Sequence, residues 1–203
     1  MNPVVRQIIF GLATLVQTSL AAVVPVRSSN LTIVMDFEGP HTSASIAQMQ
    51  RESAGIMKDS GLQVDWRSRE EASDLAFDNL VIVRFKGKCI FEPVGYLYDE
   101  RGPLAMTHTS DGEVLPFSEV ACDKVTTAMR SAMFGGDYNH ADALLGRALA
   151  RVVAHEVVHI LSKSGAHGHD GIAREAFSGR QLIGNKLPLL PEDLKRIQQP
   201  DRH

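Results

Sequence analysis

A long uninterrupted helical segment, residues 140–162, constrains this chain more than any other part of its sequence. Its apolar residues recur at helical spacing, and Asp137 or Asn139 could cap its first turn. The segment contains the pattern H-E-x-x-H, which runs from His155 to His159. Residues four apart are neighbours on a helix, so the two imidazoles are expected to share one face.

The position of this pattern on the helix points to a metal site. A helical wheel places the histidines in an apolar stripe, and it places Arg147 and Arg151 on the opposite edge of the wheel. Burying two unpaired imidazoles costs about 2–7 kcal/mol each, and a zinc ion would satisfy both. Zinc also lowers the pKa of a bound water towards 7. Glu156 lies about 100° round the helix from His155, so it could take the proton of that water without binding the metal.

A catalytic zinc site needs a third protein ligand and an open fourth position. The glycine-rich segment after the helix supplies the candidates. We favour His167, because a turn after Gly165 would end the helix and return this side chain to the metal soonest. His169 would then either contact a ligand without binding the metal or lie at the surface. The choice between the two histidines as third ligand stays open. Glu175 is the more distant candidate.

The first 21 residues have the pattern of a secretory signal peptide. The apolar stretch from Ile8 to Val16 follows an arginine and is too short to span a bilayer comfortably. Small residues after it predict cleavage after Ala21, with Ala22 as the alternative. We therefore expect a secreted or periplasmic protein with no stable membrane anchor after cleavage. Its single domain would span residues 22–203.

Export changes the interpretation of Cys89 and Cys122, the 2 cysteines of the chain. Outside the cytosol two cysteines usually pair. A bridge between these positions would stabilise the fold by roughly 3–4 kcal/mol. Two buried free thiols are the alternative.

Charge and composition exclude other classes of protein. The chain carries 24 acidic and 21 basic residues, a formal net charge of -3, without a basic block. A nucleic-acid-binding surface is therefore not expected. Hydrophobic residues make up 44% of the chain, which is ordinary for a globular domain and excludes a disordered one.

The mature chain alternates strands and helices ahead of the long helix. We predict strands at residues 31–37, 62–66, 80–85, 104–108 and 114–120, helices at 42–60 and 191–197, and turns or loops at 67–74, 110–112 and 134–137. A helix between the first two strands is typical of a parallel sheet. We therefore expect an α+β fold. It would have a mixed, mostly parallel twisted sheet, one N-terminal helix, the long helix and a short C-terminal helix.

These residues resemble the zincin metalloproteases, and among them the metzincin-like clan, in which a third histidine follows the helix. They are also similar to a family of uncharacterised secreted bacterial proteins with the same order of motifs. The likeness covers most of residues 30–180, and only H-E-x-x-H is highly specific. The matching segments are residues 115–122, 145–149, 154–161 and 167–173.

The chain departs from the metzincin pattern in four places. Ser162 stands at the position of the usual glycine. Gly165 stands where the third histidine is usual, so the ligand must come later, at His167. The turn at residues 171–173 has no methionine. Arg174 stands where a tyrosine is common, and it would be either a stabiliser of the oxyanion or a surface arginine.

The resemblance implies a zincin-like fold and a secreted zinc metallopeptidase of the endopeptidase type. Its substrate would be a peptide or protein held in extended form along the strand at 104–108. We expect His108 to be a plain surface residue and Trp66 to belong to the core. The alternatives are a non-proteolytic zinc-binding module and a hydrolase of other amides. The sequence leaves the subsite preference and the oligomeric state open.

Overall fold

The computed structural model describes residues 30–92 and 102–200. The predicted signal peptide, residues 1–21, lies outside the described residues. So does the start of the mature chain up to residue 29, and so do residues 93–101.

Five strands form one sheet in the order β2-β1-β3-β5-β4. The strands are β1 (Asn30–Phe37), β2 (Gln63–Ser68), β3 (Leu80–Lys86), β4 (Ala105–Ser110) and β5 (Glu113–Ala121). All neighbouring strands are parallel except β4, which pairs antiparallel with β5 at one edge. The prediction of an α+β fold with a mostly parallel sheet is confirmed.

Six helices complete the described part of the chain. They are α1 (Ser43–Met57), α2 (Arg69–Ala72), α3 (Cys122–Arg130), α4 (Ala141–Ser162), α5 (Gly179–Ile183) and α6 (Pro191–Gln198). The predicted N-terminal, long and C-terminal helices correspond to α1, α4 and α6. The segment at 67–74 was expected to be a loop, but β2 continues to Ser68 and α2 follows, capped by the Ser68 hydroxyl.

The core lies between one face of the sheet and the helices α1 and α4. Alternate residues of β1 and β3 point into it and are buried: Leu31, Ile33, Val81, Val83 and Phe85. Helices α1 and α4 touch at Gly146, where an added Cβ would lie 2.3 Å from the backbone oxygen of Ser45. From Ala148 to Ile160 every residue of α4 is buried, so the helix crosses the centre of the domain.

Helix α4 has the predicted bounds to within a residue, but its capping residues differ from the prediction. Neither Asp137 nor Asn139 caps it, because residues 135–140 form a 3₁₀ turn and His140 takes the N-cap position. At the other end Lys163, not Gly165, adopts the left-handed conformation (φ 56°) and closes the helix onto the His159 carbonyl. The hairpin between β4 and β5 turns as predicted, with positive φ at Asp111 and Gly112.

The two cysteines form the predicted disulfide. Cys89 follows β3 and Cys122 begins α3, and both are fully buried. The bridge therefore fastens α3, which borders the cleft described below, to the central strand of the sheet. Among the described helices, none is long and apolar enough to cross a membrane.

Candidate metal centre

Three histidines converge beside α4. His155 and His159 project from one face of the helix, and their Nε2 atoms lie 3.0 Å apart. His167 comes from the loop that follows, with its ring centroid 5.3 Å from that of His155 and 4.9 Å from that of His159. One ring nitrogen from each of the three lies within 4.8 Å of the other two. The three residues expected to be metal ligands are therefore close enough to hold one metal ion.

The hydrogen bonds of the two helical histidines fix their tautomers. Nδ1 of His155 lies 2.9 Å from the carbonyl oxygen of Ile172, and Nδ1 of His159 lies 2.8 Å from that of Ser164. A carbonyl oxygen only accepts, so each Nδ1 carries the proton and each Nε2 presents a lone pair. Two lone pairs at 3.0 Å repel each other unless a cation lies between them. This donor set fits a metal ion, since metal-ligating histidines usually donate their other N–H in this way.

A proton is a poor substitute for that cation at neutral pH. Burial lowers the pKa of His155 to about 4, although its hydrogen bond to Ile172 acts in the opposite direction. Burial also lowers the pKa of His159. Both rings are therefore neutral near pH 7 and available as ligands.

The low pKa of His155 predicts that the metal-free protein loses stability in acid. Its imidazole has a pKa of about 4 in the fold and an ordinary value of 6.5 when unfolded. Only the unfolded state takes up the proton between these values, so the free energy of unfolding falls as pH drops from about 6.5 to about 4. The loss attributable to His155 is about 3 kcal/mol, and above pH 6.5 it vanishes.

Urea unfolding of the chelator-treated protein at pH 7.5 and pH 5, beside the His155→Gln variant, measures this effect. The wild type should lose more stability between the two pH values than the variant does. Equal losses in both proteins would contradict the assignment to His155.

The floor of the site is built by the turn at residues 171–173. Gly171 has φ 67°, and an added Cβ there would lie 2.7 Å from the carbonyl oxygen of Pro188, so only glycine fits. Ile172 and Ala173 are buried beneath the histidines. The backbone N–H of Gly168 donates to the Ala173 carbonyl at 2.7 Å, which ties the loop carrying His167 to the floor.

Helix α6 supports the same loop from outside. Arg196 donates to the carbonyl oxygen of Ala166 at 2.8 Å and pairs with the buried carboxylate of Asp193. Asp193 also accepts the N–H of Leu190 at 3.2 Å. This support could not be predicted from the sequence, because the partners are separated by 30 residues and no local pattern relates them.

Glu156 lies next to the histidines and is almost completely buried. Its Oε2 accepts a hydrogen bond of 2.6 Å from the hydroxyl of Thr107 on β4. Burial raises the pKa of the Glu156 carboxyl, and the Thr107 hydroxyl opposes this shift. Thr107 is a residue that the sequence analysis did not single out.

A cleft of about 570 Å³ opens over the histidines and Glu156. The edge strand β4 forms one wall, α3 a second, and the segment Glu175 to Phe177 a third. Glu175 thus borders the cleft, although it does not join the histidine cluster.

The remaining candidates lie away from the histidine cluster. His169 is exposed, and the guanidinium of Arg174 lies 3.6 Å from the Asp170 carboxylate. Neither residue is among those that line the cleft. His108 lies 3.4 Å from Glu119 and is likewise absent from the cleft wall. Trp66 packs against the core, as expected.

In comparisons with known proteins, no protein-family model matches the chain, and no curated protein sequence is significantly similar to it. The likeness to the zincins therefore stays a prediction from the chain's own residues.

Proposed function

We propose that this protein is a secreted, zinc-dependent metallopeptidase of the zincin type. The observation that carries the proposal is the pair of neutral imidazoles whose Nε2 lone pairs face each other at 3.0 Å, with the buried Glu156 carboxylate beside them. Nitrogen ligands in a set of three suit zinc. In the described part of the chain no fourth ligand joins the cluster, which leaves a position for substrate or water.

His155, His159 and His167 would hold the zinc. When bound, zinc supplies a Lewis acid that polarises the substrate carbonyl and acidifies water. Glu156 would accept a proton from the attacking water and return it to the leaving amine. A buried carboxyl with a raised pKa suits that exchange, because a base works best when its pKa lies nearer the operating pH.

The cleft suits an extended peptide. In the described part of the chain β4 is an edge strand of the sheet, and β5 pairs with only one of its two edges. A substrate could pair with that edge by main-chain hydrogen bonds, with its scissile bond above Glu156. Ala105, Met106 and Thr109 of the same strand line the cleft and would contact the substrate side chains.

Zinc content tests the ligand assignment. Plasma mass spectrometry of purified mature protein should find about one zinc ion per chain in the wild type and in His169→Ala. In His167→Ala the affinity for zinc should fall by more than roughly 10–100-fold, which is the loss typical of removing a residue that is hydrogen-bonded to a ligand. His169 is the matched control, because it is a histidine of the same loop outside the cluster.

Two outcomes would contradict the proposal. A wild type that holds no zinc even after reconstitution would exclude a zinc peptidase. Equal weakening by His167→Ala and His169→Ala would indicate a closed, four-ligand site and a binding module instead.

A further inference from the structure

Glu156 carries its carboxylate on a flexible side chain, and in the structure Thr107 restrains it. The Thr107 hydroxyl donates to Oε2 at 2.6 Å, the length of a charge-assisted O–H···O bond. Among the described residues, no other side chain forms a hydrogen bond with Glu156. We propose that Thr107 is a positioning residue that holds the carboxylate of Glu156 in the cleft for proton transfer. This inference rests on the proposed function.

The position of Thr107 in the sheet restricts the movement of its hydroxyl. Its Cα is paired with that of Ser118 on β5, and the register of the two strands shifts directly afterwards, between Thr107 and Thr109. Threonine is β-branched and has restricted χ1 rotation in a strand. The backbone pairing and the stiff side chain together fix the hydroxyl relative to α4.

A fixed carboxylate matters because a general base works only within hydrogen-bond reach of its proton. With Oε2 held by Thr107, Oε1 is the oxygen left to meet the attacking water. Thr107 also belongs to the strand that would hold the substrate. The same strand would therefore position both the scissile bond and the base.

The alternative is that the bond merely fastens β4 to α4. The two roles predict different results for Thr107→Val, which keeps the shape of the side chain and removes the hydroxyl. Both roles remove the hydrogen bond to Oε2 and can lower the melting temperature. A fastening role leaves kcat of the folded protein unchanged, whereas a positioning role lowers kcat.

The carboxylate carbon of Glu156 can be observed directly by ¹³C NMR in metal-free and zinc-loaded protein. Its resonance is assigned by its disappearance in Glu156→Gln. We expect Thr107→Val to move this resonance and Thr107→Ser to restore it. Thr109→Val should leave it in place, because Thr109 makes no hydrogen bond to Glu156. An unmoved resonance in folded Thr107→Val would overturn the proposal.

Kinetics supply the second measurement. In the zinc-loaded protein Thr107→Val should lower kcat about 10- to 100-fold, with KM changed less than about twofold, since misplacing a reacting group by about 1 Å costs on this order. Thr107→Ser should recover most of kcat. A moved resonance with an unchanged kcat would also overturn the positioning role. If the wild type cleaves no peptide, the peptidase proposal fails, and the NMR result alone decides whether Thr107 holds Glu156.

Discussion

Replacing Glu156 by glutamine should abolish peptide hydrolysis and leave the metal in place. The amide oxygen of glutamine can still accept the Thr107 hydroxyl, so the side chain keeps its position, but an amide cannot take up the proton. Loss of a general base lowers rates by about 10²–10⁴-fold. Cleavage of casein or of a quenched peptide library, by wild type and variant at equal zinc content, measures this loss.

Zinc content separates this loss from a damaged metal site. Glu156→Gln should hold as much zinc as the wild type, because Glu156 is outside the histidine cluster. A chelator should inactivate the wild type, and added zinc should restore its activity. Equal cleavage by wild type and variant would contradict the role of Glu156, and a variant without zinc would mean that Glu156 binds the metal.

The sequence predicted those parts of the molecule that local patterns determine. The spacing of His155 and His159 needs only the helical period, and α4 follows from a long run without a helix breaker. Strand β1 is predicted from an alternation of apolar and polar residues, and β3 from a nearly continuous apolar run. His167 is predicted as the third ligand because it is the first histidine after the turn that follows the helix.

The parts that the sequence did not predict depend on distant contacts. Thr107 and Glu156 are 49 residues apart, and an isolated threonine in a strand gives no sign of its partner. The left-handed cap at Lys163 was not predicted, because a turn was expected only after Gly165 and glycine is the usual residue in that conformation. Helix α3 was not predicted, although its buried residues Cys122, Val125, Thr126 and Met129 recur at helical spacing.

Arg151 is expected on the edge of the helical wheel opposite the histidines, yet it is fully buried. Its guanidinium donates to the Glu52 carboxylate of α1 at 3.0 Å and to the Gly184 carbonyl at 2.8 Å. It also donates to the carbonyl oxygen of Gln181 in α5. The side chain of Arg151 therefore joins α4 to α1 and to the segment around α5. Arg151 lies one helical turn before His155.

Arg151→Met should destabilise the protein by about 3–5 kcal/mol, because the Glu52 carboxylate loses its nearer cation and the carbonyl groups of Gln181 and Gly184 lose a charged donor. For a domain of this size that corresponds to a fall in melting temperature of about 10 °C. Methionine fills a similar volume, so the loss reports on the hydrogen bonds of the guanidinium rather than on a cavity. Thermal and urea unfolding of the zinc-free protein measure it without a contribution from metal binding.

Arg147→Met is the matched control for this prediction. Arg147 lies one turn earlier on α4 and donates to the Ile183 carbonyl at 2.7 Å, but its side chain is 29% exposed. Water can replace its hydrogen bonds, so its loss should cost about 1 kcal/mol. Arg151→Lys should recover only part of the stability, because a single ammonium group cannot reach Glu52 and both carbonyl groups at once. If Arg151→Met were no more destabilising than Arg147→Met, the buried guanidinium would not be what joins these elements. The rigidity of α4 beneath the histidines would then come from apolar packing alone.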